Sequence, residues 1–155
     1  MNVYLAVPIV GIDQDMKIEK ECIKNILREI NINVYDPSEP GHGVPNAWGC
    51  SMDEWTRAIF SLDVVAIDNC DWMVVLDYGR QCTAGTAWEC GYAFGKGKKI
   101  LIVKMDDDSH YSVMMRGCSS NYCKLKDFIN PPLNMIESKF FIERGRVKTD
   151  TTICD

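Results

Sequence analysis

With 155 residues, 46% hydrophobic and 25% charged, the chain has room for one sizeable core and the composition of an ordinary globular domain. A net charge of −5 argues against a binder of nucleic-acid polymers, whose surface would be basic, but leaves room for a local nucleoside or nucleotide site. Eight scattered cysteines without a CxxC pair, beside two histidines, speak against a zinc site and for reduced thiols, and no apolar run reaches the ~20 residues of a membrane span.

Strand and helix patterns alternate from the first residues. Residues 3–7 (VYLAV) form an apolar run stopped by Pro8, the signature of a buried strand. Across residues 15–30, Ile18, Cys22, Ile23, Ile26, Leu27 and Ile30 recur at helical spacing, which predicts an amphipathic helix on that stripe. A short strand at 33–35 ends at Asp36-Pro37, and the Gly- and Pro-rich SEPGHGVPNAWG that follows reads as loop. Ser51 and Glu54 form a capping-box pattern opening a helix to about Asn69. WMVVLD at 72–77 is a third buried strand, GTAWECGYAFGKG a helix closing on Gly97, and KILIVK at 99–104 a fourth strand. The acidic residues 106–108 read as a solvated turn, followed by a short helix near 112–115 and a brief strand at 122–125. The pattern predicts an α/β sandwich with a mostly parallel sheet. One domain spans 1–155, with 129–155 a C-terminal tail of no clear pattern. With no secretory leader in view, the expected location is cytoplasmic.

Ligands of open parallel sheets bind beyond the carboxyl ends of the strands. Those ends carry Pro8, Asp36, the stretch from Asp77 to Thr83, and Met105. Glu89 falls in the first turns of the helix that starts at this edge, where the helix dipole favours an ionised carboxylate. An ionised carboxylate beside a sugar can attack an anomeric carbon. On its own, however, a glutamate near a helix start is simply well placed electrostatically. Asp63 lies among Ile59, Phe60, Leu62, Val64 and Val65, where a carboxylate is costly unless paired or near a polar site. No GxGxxG follows the first strand and no Walker-type motif is present, so nothing indicates NAD or ATP. Trp48, Trp55, Tyr78 and Trp88 are equally readable as base-stacking or as core aromatics.

The segments VYLAVP, DNCDWMVVLD and GTAWECGYAFGKGKKILIV, continued by SVMMRGCSSN and KLKDF, resemble the nucleoside 2-deoxyribosyltransferase family from Val3 to about Phe128. The resemblance implies a flavodoxin-like (Rossmann-like) three-layer sandwich of about five strands, no cofactor and no metal. It also implies a homodimer, or a hexamer built of dimers, with shared active sites. Glu89 would be the nucleophile holding a covalent deoxyribosyl intermediate, Tyr4 the tyrosine orienting it, and Asp63 a group positioning the sugar. Gly85 would open the catalytic helix at the substrate, and Asn121 would reach the 5' side of a neighbouring subunit's sugar. Six positions before the glutamate, where many transferases carry a base-contacting aspartate, this chain has Thr83. The sister 2'-deoxynucleoside 5'-monophosphate N-hydrolases have a phosphate-binding serine there. They also have a serine, matching Ser112, that reaches the phosphate from the next subunit. The first loop, VPIVGID, lacks their phosphate-binding arginine. The expected function is therefore transfer of deoxyribose between free nucleobases or to water. Monophosphate hydrolysis is the alternative, and a non-catalytic nucleotide-sensing module a third reading.

Overall fold

Five strands and five helices alternate in the computed structural model, which describes residues 1–9, 11–39, 49–79, 84–105 and 112–129. In chain order they are β1 Asn2–Ala6, α1 Gln14–Glu29, β2 Asn33–Tyr35, α2 Met52–Asn69, β3 Trp72–Asp77, α3 Ala84–Gly95, β4 Lys99–Lys104, α4 Val113–Cys118, β5 Asn121–Lys124 and α5 Leu125–Ile129. The strands form one sheet in the order β2-β1-β3-β4-β5 with every pairing parallel. This is the doubly wound, flavodoxin-like order. Winding reverses between β1 and β3, so a crevice opens beyond their carboxyl ends.

Alternation along each strand divides the apolar side chains between two cores. Val3, Leu5, Val74, Leu76, Leu101 and Val103 pack against Ile23 and Leu27 of α1 and Phe128 of α5. Tyr4, Ala6, Met73, Val75, Ile100 and Ile102 pack on the other face against Ile67 of α2, Cys90 and Ala93 of α3 and Met115 of α4. The result is three layers. β3 is buried along its whole length, as a central parallel strand must be.

Local signals fix the helix ends. Asp13 caps α1 by accepting from the Met16 amide, and the Ser51–Glu54 capping box is fully formed at α2. The chain leaves α3 through Gly97 at φ 69°, with Lys98 N–H bonded to the Ala93 carbonyl and Gly97 N–H to that of Phe94. A left-handed glycine there lets the chain turn directly into β4.

One expectation is corrected. The α1 stripe that packs inward is Met16, Lys20, Ile23, Lys24 and Leu27, whereas Ile18 and Ile30 are exposed. Two lysines turn the buried face because Asp36, at the end of β2, lies within 3.1 Å of Lys20 Nζ and 2.9 Å of Lys24 Nζ. The Asp36 side chain is itself fully buried. Among the described residues, the six cysteines are free thiols and no helix is long and apolar enough to cross a membrane. Residues 40–48, Thr83, the acidic residues 106–108 and the tail beyond Ile129 lie outside the described residues.

Candidate active site

The site is built where β1, β2, α2 and α3 meet. Tyr4 in β1 and Tyr35 in β2 are register partners, so both side chains leave the same face of the sheet. Their rings stack at 5.4 Å with an interplanar angle of 20°. Each hydroxyl then donates to a different carboxylate: Tyr4 to Glu89 Oε1 at 2.8 Å, and Tyr35 to Asp63 Oδ1 at 3.0 Å. Glu89 comes from the second turn of α3 and Asp63 from the middle of α2. Two stacked phenols thus present two carboxylates side by side. Tyr4 is completely buried, while Glu89 and Asp63 are partly exposed.

Electrostatics separate Glu89 from an ordinary surface glutamate. Burial pushes its carboxyl up to about 7; the Tyr4 hydrogen bond opposes that rise and the negative Asp63 adds to it. The helix start, expected to favour the ionised form, is therefore opposed by burial. Desolvation outweighs the dipole, which fades beyond the first turn. Both tyrosines are held far above the usual phenol range, first by burial and then by the two carboxylates. They therefore remain hydrogen-bond donors at any working pH. The chemistry available is that of a carboxylate poised near neutrality in a partly desolvated site. It can be ionised to attack, or protonated to give up a proton.

With this geometry, likeness to known proteins becomes informative. Residues 3–138 match the family described as nucleoside 2-deoxyribosyltransferase. The chain belongs to this family. A nucleoside deoxyribosyltransferase of Lactobacillus johnsonii is 27% identical over 90 residues, covering 57% of this chain and 60% of that relative. The match thus spans less than two thirds of the relative's own length. The 2-deoxyribosyltransferase of the psychrotolerant bacterium Bacillus psychrosaccharolyticus superposes with a TM-score of 0.70 at 22% identity, covering 86% of this chain and 94% of that one. The CMP N-glycosidase of Clostridium botulinum superposes with a TM-score of 0.58 at 25% identity, covering 84% and 95%.

The other residues singled out in this deoxyribosyltransferase-family chain lie in different settings. Gly85 is exposed as the second residue of α3, directly after the undescribed stretch that ends in Thr83. Ser112 is exposed and caps α4, its Oγ accepting from the Met115 amide at 3.3 Å. Asn121 opens β5 and is 4% exposed, which leaves little surface to offer a neighbouring subunit. Tyr78 belongs to the α1-side core and donates to the Met16 carbonyl, whereas Trp88 lies on the outer side of α3, stacked on Tyr92 and tilted against Phe60. Neither lies with the two carboxylates. Sequence reasoning missed Tyr35. The signal for it was the Val-Tyr pair shared by residues 3–4 and 34–35, which parallel pairing sets side by side.

Proposed function

We propose that this chain cleaves the N-glycosidic bond of a 2'-deoxynucleoside with Glu89 as nucleophile and passes the sugar to a second nucleobase or to water. The observation that carries the reading is the buried Tyr4 hydroxyl donating to Glu89, with Asp63 beside it on the neighbouring Tyr35 hydroxyl. Ionised Glu89 forms a bond to the anomeric carbon as the bond to the base nitrogen breaks, and the departing base takes up a proton. An acceptor base nitrogen, or water, then attacks the same carbon, gives up its own proton and releases the carboxylate. Two displacements retain the anomeric configuration. A 2'-deoxy sugar lacks the electron-withdrawing 2'-hydroxyl and ionises more readily, which suits a site of two carboxylates and two phenols. Tyr4 holds one Glu89 oxygen, leaving the other for attack, and Asp63 faces the sugar.

A second reading is hydrolysis of a 2'-deoxynucleoside 5'-monophosphate; its 5'-phosphate, though not its 2'-deoxy sugar, is favoured by the likeness to a CMP N-glycosidase and by a hydroxyl at Thr83. The test is to incubate the protein with a deoxynucleoside plus a second free base, and separately with a deoxynucleoside monophosphate. Base exchange supports transfer, and free base released from the monophosphate supports hydrolysis. Absence of both in fully folded protein would leave a non-catalytic binding module. The variant Thr83→Asp sharpens the choice. In a transferase it preserves or improves exchange. In a hydrolase the new charge opposes the phosphate by about 1–3 kcal/mol and lowers monophosphate kcat/KM roughly ten- to hundredfold.

Assembly belongs to the same reading. Phe60, Leu62 and Val65 of α2 and Val113 and Met114 of α4 are exposed, and α2 buries only Ile67. Large apolar side chains on two helices of the same sheet face support a homodimer, or a hexamer of dimers, in which Ser112 approaches a neighbour's pocket. Sedimentation should find no fully active monomer.

A further inference from the structure

Tyr35 has no role in the functional reading so far, yet its hydroxyl reaches one of the two carboxylates. We propose that Tyr35 is a positioning residue of the active site: its hydroxyl ties Asp63 to the sheet, so that Asp63 and Glu89 are presented to the substrate in one fixed arrangement. The inference rests on the glycosidic reading for the substrate, but the tie itself stands on geometry.

Helix α2 has eighteen residues and buries a single side chain, Ile67, one turn beyond Asp63. Asp63 stands half-buried one turn before that side chain, so a contact from the sheet adds a constraint on its carboxylate that the helix seat alone does not supply. Glu89 differs, because its helix is anchored by Thr86, Cys90 and Ala93 on either side of it. Asp63 receives a tie from the sheet. Tyr35 ends β2, is paired in register with Tyr4, and donates to Asp63 Oδ1 at 3.0 Å. The stacked rings then act as a spacer between the two hydroxyls, and hence between the two carboxylates. Asp63 also acts on Glu89 through its charge, so its placement bears on the ionisation of the nucleophile as well as on the sugar.

The test uses Tyr35→Phe, which keeps the ring and its stack and removes the hydroxyl. Thermal melting first establishes that the variant is folded. Losing one hydrogen bond to a carboxylate should lower kcat/KM for the deoxynucleoside by about tenfold. In an Asp63→Ala background, the same change should cost less than about twofold, because the partner through which Tyr35 acts is gone. An equal loss in both backgrounds, or none in the parent, overturns the proposal. A second readout needs no turnover: carbon-13 NMR of labelled aspartate should show the Asp63 carboxyl titrating at higher pH in Tyr35→Phe, because a donor to its charged form has been removed. An unchanged Asp63 titration also overturns the proposal. A protein that cleaves none of the substrates, yet shows the Asp63 shift, would retire the glycosidic reading and leave the tie standing.

Discussion

Asp36 and Glu89 are both carboxylates withdrawn from water against the faces of the sheet, yet they are surrounded by opposite chemistry. On the α1 face, Asp36 meets two ammonium groups, and Ser38 donates to its Oδ1 through both amide and hydroxyl. Burial pushes that carboxyl up, but the hydrogen bonds of Ser38 and the close ammonium groups of the two lysines outweigh burial and hold it below the usual range. The contacts of Lys20 and Lys24 with Oδ2 are ion pairs rather than aligned hydrogen bonds. Glu89, on the other face, meets a phenol and a second carboxylate, and rises to about 7. Full neutralisation makes a carboxylate part of the frame. Partial solvation by neutral donors keeps it reactive at a cost in stability.

Substitution of Glu89 should break the comparison most sharply. Glu89→Gln keeps the size and the Tyr4 contact, removes the proposed nucleophile, and should lower kcat by at least about a thousandfold. Stability should move the other way. The folded protein holds a proton on Glu89 that the unfolded chain releases, so stability falls as pH rises between the ordinary carboxylate value of 4.5 and about 7. Glu89→Gln removes that fall. Its melting temperature should exceed the parent's at pH 8 and match it near pH 5. An equal gain at both pH values would contradict the buried-proton account.

Asp36→Ala should show the reverse pattern. Leaving Lys20 and Lys24 without their shared partner should cost about 3 kcal/mol in denaturant unfolding at pH 7, with kcat per folded molecule unchanged. The stabilisation that Asp36 supplies is present above its unfolded value of 3.8 and is lost as pH falls through its lower folded value. The parent's advantage over Asp36→Ala should therefore shrink in acid. A large loss of kcat in this variant would mean that the two clusters act as one.

The smallest effect concerns Tyr4. The acid limb of kcat/KM in the parent should lie near pH 7, where Glu89 gains its proton. Tyr4→Phe removes the donor that favours the ionised form, and the limb should move up by about one unit. A downward move would show that the hydroxyl stabilises the protonated form instead.

Much of this frame was legible in the sequence because its signals are local. The strands at 72–77 and 99–104, the Ser51–Glu54 box and the glycine exit at Gly97 each announce themselves within a few residues. The buried face of α1 was not legible. A periodicity argument counts Lys20 and Lys24 as solvent-facing, and only the approach of Asp36 from β2 draws them inward. Glu89, Asp63 and Tyr4 were visible through family resemblance, and the structure brings all three together. The acidity of Glu89 depends on burial contributed by distant segments, which no short motif encodes. Tyr35 looked like an ordinary strand end until parallel pairing set it beside Tyr4.

The sheet order also bears on how the site assembles. Tyr35 and Asp63 are 28 positions apart, whereas Tyr4 and Glu89 are separated by 85. Closing the longer span costs more chain entropy, and it requires β1 to find β3 across α1, β2 and α2. The contact between Tyr35 and Asp63 therefore closes the shorter span, while Glu89 acquires its Tyr4 partner only when the central strands have paired. Recovery of activity during refolding should therefore report on completion of the whole sheet.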